Sequence, residues 1–392
     1  MSPFLPSKAY NVLMNILIVI DTLASGGAQK LKVELASGLN LRGHNVEFFI
    51  YDDNYNFYEP VLNKLKIKIH VCKRESQGFS WKVVKGLRNI VKSSRFDHVI
   101  SSLHTPSIYA SIALIGIKNT KLTVCEESSS LAKISYLKRY MFYLASLMSD
   151  NLVTNSHNEY KLIRKLPGRS KKTKVIWNGF DLSSINFFIN HNSQRKGISK
   201  LLVVGRVAFP KNGVNLLKAL SLFESRNGWV PEINWIGRRD YDLRSLKDKR
   251  SKEMIDQMDN YLETHKSLSS NFNWLGSVPD VFAYYKTTDA LLSVSLYEGM
   301  PMVICEAMLS GCFVIASSVC DHPKVLGNNE RGLLCDPSSP KSICLAIEKL
   351  NIMQAKEKVK IIQNARKYAE INFDREHMLD EYESLIYSHT NR

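Results

Sequence analysis

Two glutamates with seven residues between them, Glu298 and Glu306, stand in a long and otherwise apolar segment, Leu291–Ala316 (LLSVSLYEGMPMVICEAMLSGCFVIA). An acidic side chain inside such a run is costly unless it has a partner, so each carboxylate calls for a ligand or a donor. The segment reads as a strand, a loop Glu298-Gly299-Met300-Pro301, a helix stopped by Gly311, and a further strand. The first strand delivers Glu298 to a sheet edge and Glu306 follows about one turn inside the helix, so both carboxylates can face one cleft mouth. Gly299 permits close backbone approach, and the free N–H groups that open the helix around Met302–Ile304 are placed to hold phosphate oxygens. Sugar and ribose hydroxyls are the partners expected for the carboxylates. Taken singly, the two acids would pass for a loop residue and a solvated helix residue.

Short runs rich in Ile and Val alternate with segments of helical periodicity, the pattern of βαβ units in parallel sheets. Strands are predicted near Ile16–Ile20, Val46–Tyr51, Ile67–Val71, His98–Ser102, Leu122–Cys125, Asn151–Asn155 and Lys174–Ile176. After a polar stretch at Asn190–Ser199 a second series begins, near Leu201–Val204, Ile233–Ile236, Phe272–Leu275, Ala290–Val294, Phe313–Ala316 and Gly332–Leu334. The prediction is an α/β chain of two Rossmann-like, doubly wound domains, 1–185 and 186–365, with 366–392 folding back on the first. Ligands of such sheets bind at the C-terminal ends of the strands, and two of them are expected to face a central cleft.

The spacing Glu298…Glu306 resembles the E-x7-E signature of retaining GT-B glycosyltransferases of the group 1, or family 4, type, and the similarity runs over nearly the whole chain. Leu201–Leu217 (LLVVGRVAFPKNGVNLL) resembles that family's first nucleotide-domain strand and G-R-x4-K-[GN] loop, which implies that Arg206 and Lys211 clamp the donor diphosphate. The chemistry is consistent, because the leaving nucleoside diphosphate gains charge as the glycosidic bond breaks and two fixed cations stabilise it most in the transition state. Gly26-Gly27 followed by a helix resembles the family's G-G-A-[EQ] loop beside the donor phosphates, and is neither a Rossmann fingerprint nor a Walker A loop. His104, in Ser101-Ser102-Leu103-His104-Thr105-Pro106, ends a strand and matches a histidine that contacts the transferred sugar. Asn178-Gly179-Phe180-Asp181 matches a closing turn of the first domain, and Asn273–Ser277 with Val278 a segment whose backbone reads the base. The resemblance implies Arg206, Lys211, Glu298 and His104 as catalytic. The donor-binding set it implies is Gly26, Gly27, Arg206, Lys211, Val278, Glu298, Gly299, Met300, Pro301, Met302, Val303 and Glu306.

The chain departs from that pattern in two places, the first being Gly311-Cys312-Phe313-Val314 where the family commonly has G-x-P-V after the glutamate helix. Cys320-Asp321-His322-Pro323-Lys324 stands where the family has G-G-x-x-E, with Lys324 at the place of the usual glutamate, and this bears on the donor sugar more than on the reaction class. Asp240-Tyr241-Asp242 is formally a metal-binding D-x-D, yet it lies among Arg238, Arg239 and Arg244 with no further ligand nearby in sequence. No metal and no cofactor is expected, the nucleotide-sugar being a substrate. The seven cysteines are scattered without a CxxC, which fits a reduced, cytosolic protein, and the N-terminus lacks the features of a secretory signal.

Net charge is +16, and residues 1–180 carry 26 Lys and Arg against 12 Asp and Glu, whereas the remainder carries 27 against 25. A basic field confined to the first half suits an anionic partner. Phe79–Arg95 and Leu131–Met148 combine basic and apolar residues at helical spacing, as helices lying on anionic membranes do. The expected enzyme is a hexosyltransferase that moves a hexose or N-acetylhexosamine from a nucleotide-sugar, UDP-sugar favoured, onto a saccharide acceptor. That acceptor is expected to be lipid-linked, in surface polysaccharide synthesis on the inner face of the cell membrane. A nucleotide-sugar epimerase of the same fold is the alternative enzyme. A nucleic-acid-binding protein has only the charge in its favour, without a groove-reading motif.

Overall fold

A computed structural model describes residues 12–388 apart from 25, 55, 76–77, 128–135, 166, 169–171, 186, 189–195 and 240–248. The chain forms two compact units, Met1–Phe180 with Phe373–Arg392, and Asp181–Asn372.

The first unit is built on seven strands: β1 Asn15–Val19, β2 Asn45–Ile50, β3 Lys68–Val71, β4 His98–Ser102, β5 Lys121–Glu126, β6 Asn151–Thr154 and β7 Thr173–Val175. They lie in the order β3-β2-β1-β4-β5-β6-β7, every pair parallel. Alternation along β1 explains why both faces must be covered. Ile16, Ile18 and Ile20 pack with Leu31, Leu35 and Leu39 of the Gly27–Leu41 helix, while Leu17 and Val19 pack with Val83, Val84 and Leu87 of the Trp81–Ser94 helix and with Tyr109.

The C-terminal Arg375–Tyr387 helix completes the first of these faces, contributing Met378, Leu379, Tyr382 and Ile386 to the core that holds β1 and β2. The chain is led back to it at the Asn178–Asp181 turn: the Phe180 N–H donates to Phe373 O at 2.8 Å and the Arg375 N–H to Phe180 O at 3.0 Å. Arg42 then locks the helix in place, donating to Glu376, Asp380 and Glu383.

The second unit has six strands, β8 Lys200–Val204, β9 Glu232–Ile236, β10 Phe272–Gly276, β11 Ala290–Ser293, β12 Phe313–Ser317 and β13 Leu333–Cys335, in the order β10-β9-β8-β11-β12-β13 and again all parallel. Both sheets reverse their winding once, between β1 and β4 and between β8 and β11. The doubly wound α/β architecture read from the sequence is the one observed. At each reversal the flanking helices diverge to opposite faces and leave a crevice beyond the strand ends, which is where the predicted site residues fall.

Candidate functional site

In the second unit Arg206, Lys211, Glu298 and the Gly299–Val303 segment follow β8 and β11, the two strands that flank the reversal, whereas Val278 follows β10 at the edge of the sheet. β8 ends at Val204, and Gly205 follows with φ +139°, a conformation that side chains rarely adopt. A Cβ here would also lie 2.6 Å from Lys211 Cε, so glycine lets the lysine side chain fold back along the strand end. Gly237, after β9, has φ +146° and no room for a Cβ against Gly205 O, so the backbones of two neighbouring strands close on each other at the same edge.

Lys211 Nζ lies 2.6 Å from Glu298 Oε1, which also accepts from Ser295 Oγ at 2.7 Å. Both side chains of the pair remain about one-fifth exposed. Enclosure alone would push the Glu298 carboxyl up, but Lys211 and Ser295 outweigh it and hold it below a glutamate's ordinary 4.5. Arg206 is exposed on the same loop.

Asn212 has a left-handed backbone at the start of the Gly213–Asn227 helix. Its amide donates to Val294 O and Pro337 O at 3.0 and 2.7 Å, binding the lysine's loop to the end of β11.

From Glu298 the chain runs through Gly299, Met300 and Pro301 into the Met302–Ser310 helix, whose start has no side-chain cap. The Ile304 and Cys305 N–H groups both turn back to Pro301 O. The Val303 N–H has no acceptor among the described residues, so the positive end of this helix offers a donor to an anion.

Glu306 is placed differently from Glu298. It is buried one turn further on and accepts from Tyr285 Oη at 3.2 Å, and burial beside Glu306 pushes the Tyr285 phenol well up. The two carboxylates thus share a helix start, one at the rim and one inside. Val278 is half-buried two residues beyond β10.

Behind Glu298, Ser317 Oγ donates to Ser295 O at 2.6 Å, and the fully buried His322 donates from Nδ1 to Ser317 O at 2.9 Å. Burial pulls the His322 imidazole down, so it stands neutral at physiological pH. The loop that departs from the family pattern is therefore tied to the end of β12 by this histidine.

In the first unit the reversal lies between β1 and β4. Gly26 precedes the Gly27–Leu41 helix with extended backbone, and a Cβ there would meet Gln29 Oε1 at 2.3 Å, whereas one on Gly27 would enter open space. His104 does not end β4; it is the first residue of the His104–Ala113 helix, two residues beyond the strand. Its Nε2 lies 2.8 Å from Glu126 Oε2 at the end of β5, and its ring meets Phe142 edge-on at 4.5 Å.

Sequence reading missed Glu126, Tyr285, Ser295 and Gly237, and gave no role to Asn212, which fills the [GN] place of the loop motif. Only the acid pair Glu126-Glu127, ending the apolar run LTVC, carried a signal of its own. Asp240, Tyr241 and Asp242 lie outside the described residues.

A family model described as "Glycosyl transferases group 1" matches residues 185–368, and one described as "Glycosyltransferase Family 4" matches residues 25–184. The chain belongs to the group 1 glycosyltransferases of GT-B fold.

Among curated relatives it is 26% identical over 388 residues, 95% of this chain and 98% of the other, to a GalNAc-alpha-(1->4)-GalNAc-alpha-(1->3)-diNAcBac-PP-undecaprenol alpha-1,4-N-acetyl-D-galactosaminyltransferase of Campylobacter jejuni. It is 25% identical over 80% of its length, and 81% of the other's, to a UDP-Gal:alpha-D-GlcNAc-diphosphoundecaprenol alpha-1,3-galactosyltransferase of Escherichia coli. The fold of this glycosyltransferase matches that of Anabaena HepE, solved in complex with UDP and glucose, with TM-score 0.78 and 20% identity over 96% of this chain and all of the other.

Proposed function

We propose that the protein transfers a hexose or N-acetylhexosamine from a UDP-sugar, with retention at the anomeric carbon, to a saccharide carried on a lipid diphosphate. The observation that carries this reading is the grouping of Arg206, Lys211, Glu298 and the uncapped start of the Met302–Ser310 helix on one sheet edge. A nucleoside diphosphate fits it: Lys211 exchanges Glu298 for a phosphate oxygen, Arg206 takes a second, and the Val303 N–H a third.

Charge compensation comes from these cations without a metal. Glu298, released from Lys211, accepts hydroxyls of the donor. In the absence of an assigned nucleophile, the departing phosphate takes the acceptor proton on the same face as the new bond forms. The relatives from C. jejuni and E. coli are named for undecaprenol-diphosphate-linked saccharides, and this supports an acceptor of that class.

Membrane contact rests on the first unit. The Trp81–Ser94 helix turns Val83, Val84, Leu87 and Val91 into the core, so of its apolar residues only Trp81 stands out, beside Phe79. The Tyr136–Met148 helix does the opposite: Leu137, Tyr140, Leu144, Leu147 and Met148 form an exposed stripe at helical spacing, next to the exposed Arg139. No helix among the described residues is long and apolar enough to cross a membrane. A basic unit with such a stripe lies on an anionic bilayer surface.

The direct test is a screen of nucleotide-sugars for thermal stabilisation, followed by transfer to undecaprenyl-diphosphate-linked N-acetylglucosamine, with the anomer assigned by NMR. An inverted product, or stabilisation by GDP-sugars alone, would refute the donor and stereochemical assignments. Sugar epimerised with no dependence on acceptor would make the protein an epimerase. Leu144→Ser with Leu147→Ser should abolish co-sedimentation with anionic vesicles, and unchanged sedimentation would remove the membrane reading.

A further inference from the structure

We infer that Glu126 is a positioning residue for His104, fixing the imidazole so that Nε2 carries the proton and Nδ1 is left to accept a hydrogen bond from a saccharide hydroxyl. The inference rests on the glycosyltransferase reading for the hydroxyl, but not for the state of the ring.

The juxtaposition follows from register. β4 and β5 pair in parallel with Ser102 opposite Cys125, so Glu126, the last residue of β5, and the residues just beyond β4 emerge side by side at the C-terminal edge. Glu126 is buried, with 5% of its side chain exposed, and its Oε2 lies 2.8 Å from His104 Nε2. A carboxylate can only accept, so the hydrogen in this contact belongs to Nε2, and the neutral ring then has its lone pair on Nδ1.

Two further restraints act on the same ring. Phe142 packs against it at 74°. Leu103, immediately before His104, is held at φ 72° and ψ 168°, a region essentially reserved for glycine. The strain is sustained by bonds on both sides. The Leu103 N–H donates to Cys125 O at 3.2 Å, and Leu103 O accepts from the Ser107 N–H and from Ser107 Oγ at 2.6 Å. Strained backbone, buried carboxylate and aromatic wall all converge on one histidine whose side chain is still 16% exposed.

The chemical consequence is selectivity. A protonated or Nδ1–H imidazole would donate to a phosphate oxygen. An Nδ1 acceptor meets only a donor, and on a nucleotide-sugar or a saccharide the donors are hydroxyls and amides. Glu126 therefore directs His104 to the sugar and away from the diphosphate.

The full-length protein, labelled with 15N at histidine, gives the ring signals, and that of His104 is identified by its loss in His104→Ala. At pH 8 the wild type should show one Nε2–H tautomer and Glu126→Ala a mixture. Should Glu126→Ala not fold, Glu126→Met keeps most of the volume without an oxygen to accept from the ring, and should likewise populate both tautomers. A single unchanged tautomer in the variant would overturn the inference, whether or not any sugar is transferred.

With UDP-galactose and UDP-N-acetylgalactosamine as donors, Glu126→Ala should lower turnover about tenfold, the scale of one orienting hydrogen bond. The same change in a His104→Ala background should alter turnover less than about twofold, since the effect passes through the ring. Equal losses in both backgrounds would reduce Glu126 to a structural residue. Absence of transfer by the wild type would fault the proposed reaction while leaving the tautomer result standing.

Discussion

Each unit contains a lysine–glutamate pair at 2.6 Å, Lys32 with Glu127 and Lys211 with Glu298. The lysine in both cases follows the first strand of its sheet, and the glutamate follows a strand beyond the reversal in winding. The surroundings separate them. The Lys32 and Glu127 side chains are 0% and 3% exposed, against 20% and 21% for the other pair.

Lys32 Nζ also donates to Tyr382 Oη of the C-terminal helix at 3.2 Å, and Ser102 Oγ donates to Glu127. Burial would pull the Lys32 ammonium down, yet Cys125, Glu127 and Tyr382 around it hold it well above its ordinary value. No solvent can replace a partner there, so this pair is part of the first unit's packing. Lys211 and Glu298 stand at a rim where water or a phosphate oxygen can take the place of either partner. The same two side chains at the same distance thus serve structure in one unit and ligand exchange in the other, and solvent access decides which.

The buried pair is the more sensitive of the two to substitution. Lys32→Ala or Glu127→Ala should cost about 3–5 kcal/mol in urea unfolding, because either leaves a buried charge alone. Lys32→Met combined with Glu127→Leu should recover most of that loss, and failure to recover would mean that the pair does more than fill and neutralise its site.

At the rim the expectation reverses. Lys211→Ala should lower transfer by about 10²–10³-fold while stability moves by less than about 1 kcal/mol. A large stability loss would make this pair as structural as its counterpart.

Glu306, buried like Glu127 yet next to the rim, sharpens the distinction. Glu306→Ala should cost about 1–3 kcal/mol by leaving the Tyr285 hydroxyl only its longer bond to Val303 O at 3.4 Å, and Tyr285→Phe in that background should restore part of it. A Glu306→Ala variant as stable as the wild type would show that the tyrosine bond carries no weight.

The smallest effect concerns pH. The folded-state pKa of Glu298 is lowered, so the unfolded chain binds the proton more tightly. Its contribution to stability is therefore complete above pH 4.5 and is lost as pH falls through the folded value. Wild type should exceed Glu298→Gln by less than about 1 kcal/mol at pH 7, a gap that closes in acid. A gap that widens on acidification would contradict the sign.

How much of this was legible in the chain depends on the distance over which each relation acts. All thirteen strands among the described residues fall where short apolar runs predicted them, since each is set by a few consecutive residues. Lys211 and Glu298 were legible through their motifs, although 87 residues separate them. Glu126 was not: its meaning comes from the register of β4 on β5, which sets its carboxylate against His104. The membrane expectation for Phe79–Arg95 changed for a similar reason. Its apolar residues have the right spacing either for a bilayer or for a core, and only the folded sheet shows that the core takes them.

By itself, then, the sequence determined the strand and helix series, the two doubly wound sheets, and which residue types stand at the strand ends, because periodicity and turn chemistry are local and steric. Tertiary structure alone decided which charges are sealed and which exchangeable. Lys32 is neutralised by Glu127 and capped by a tyrosine 350 residues away, and Glu298 stays open to solvent while Glu306 does not. The strength of an ion pair is set by the medium around it, and that medium exists only once the helices have packed onto the sheets.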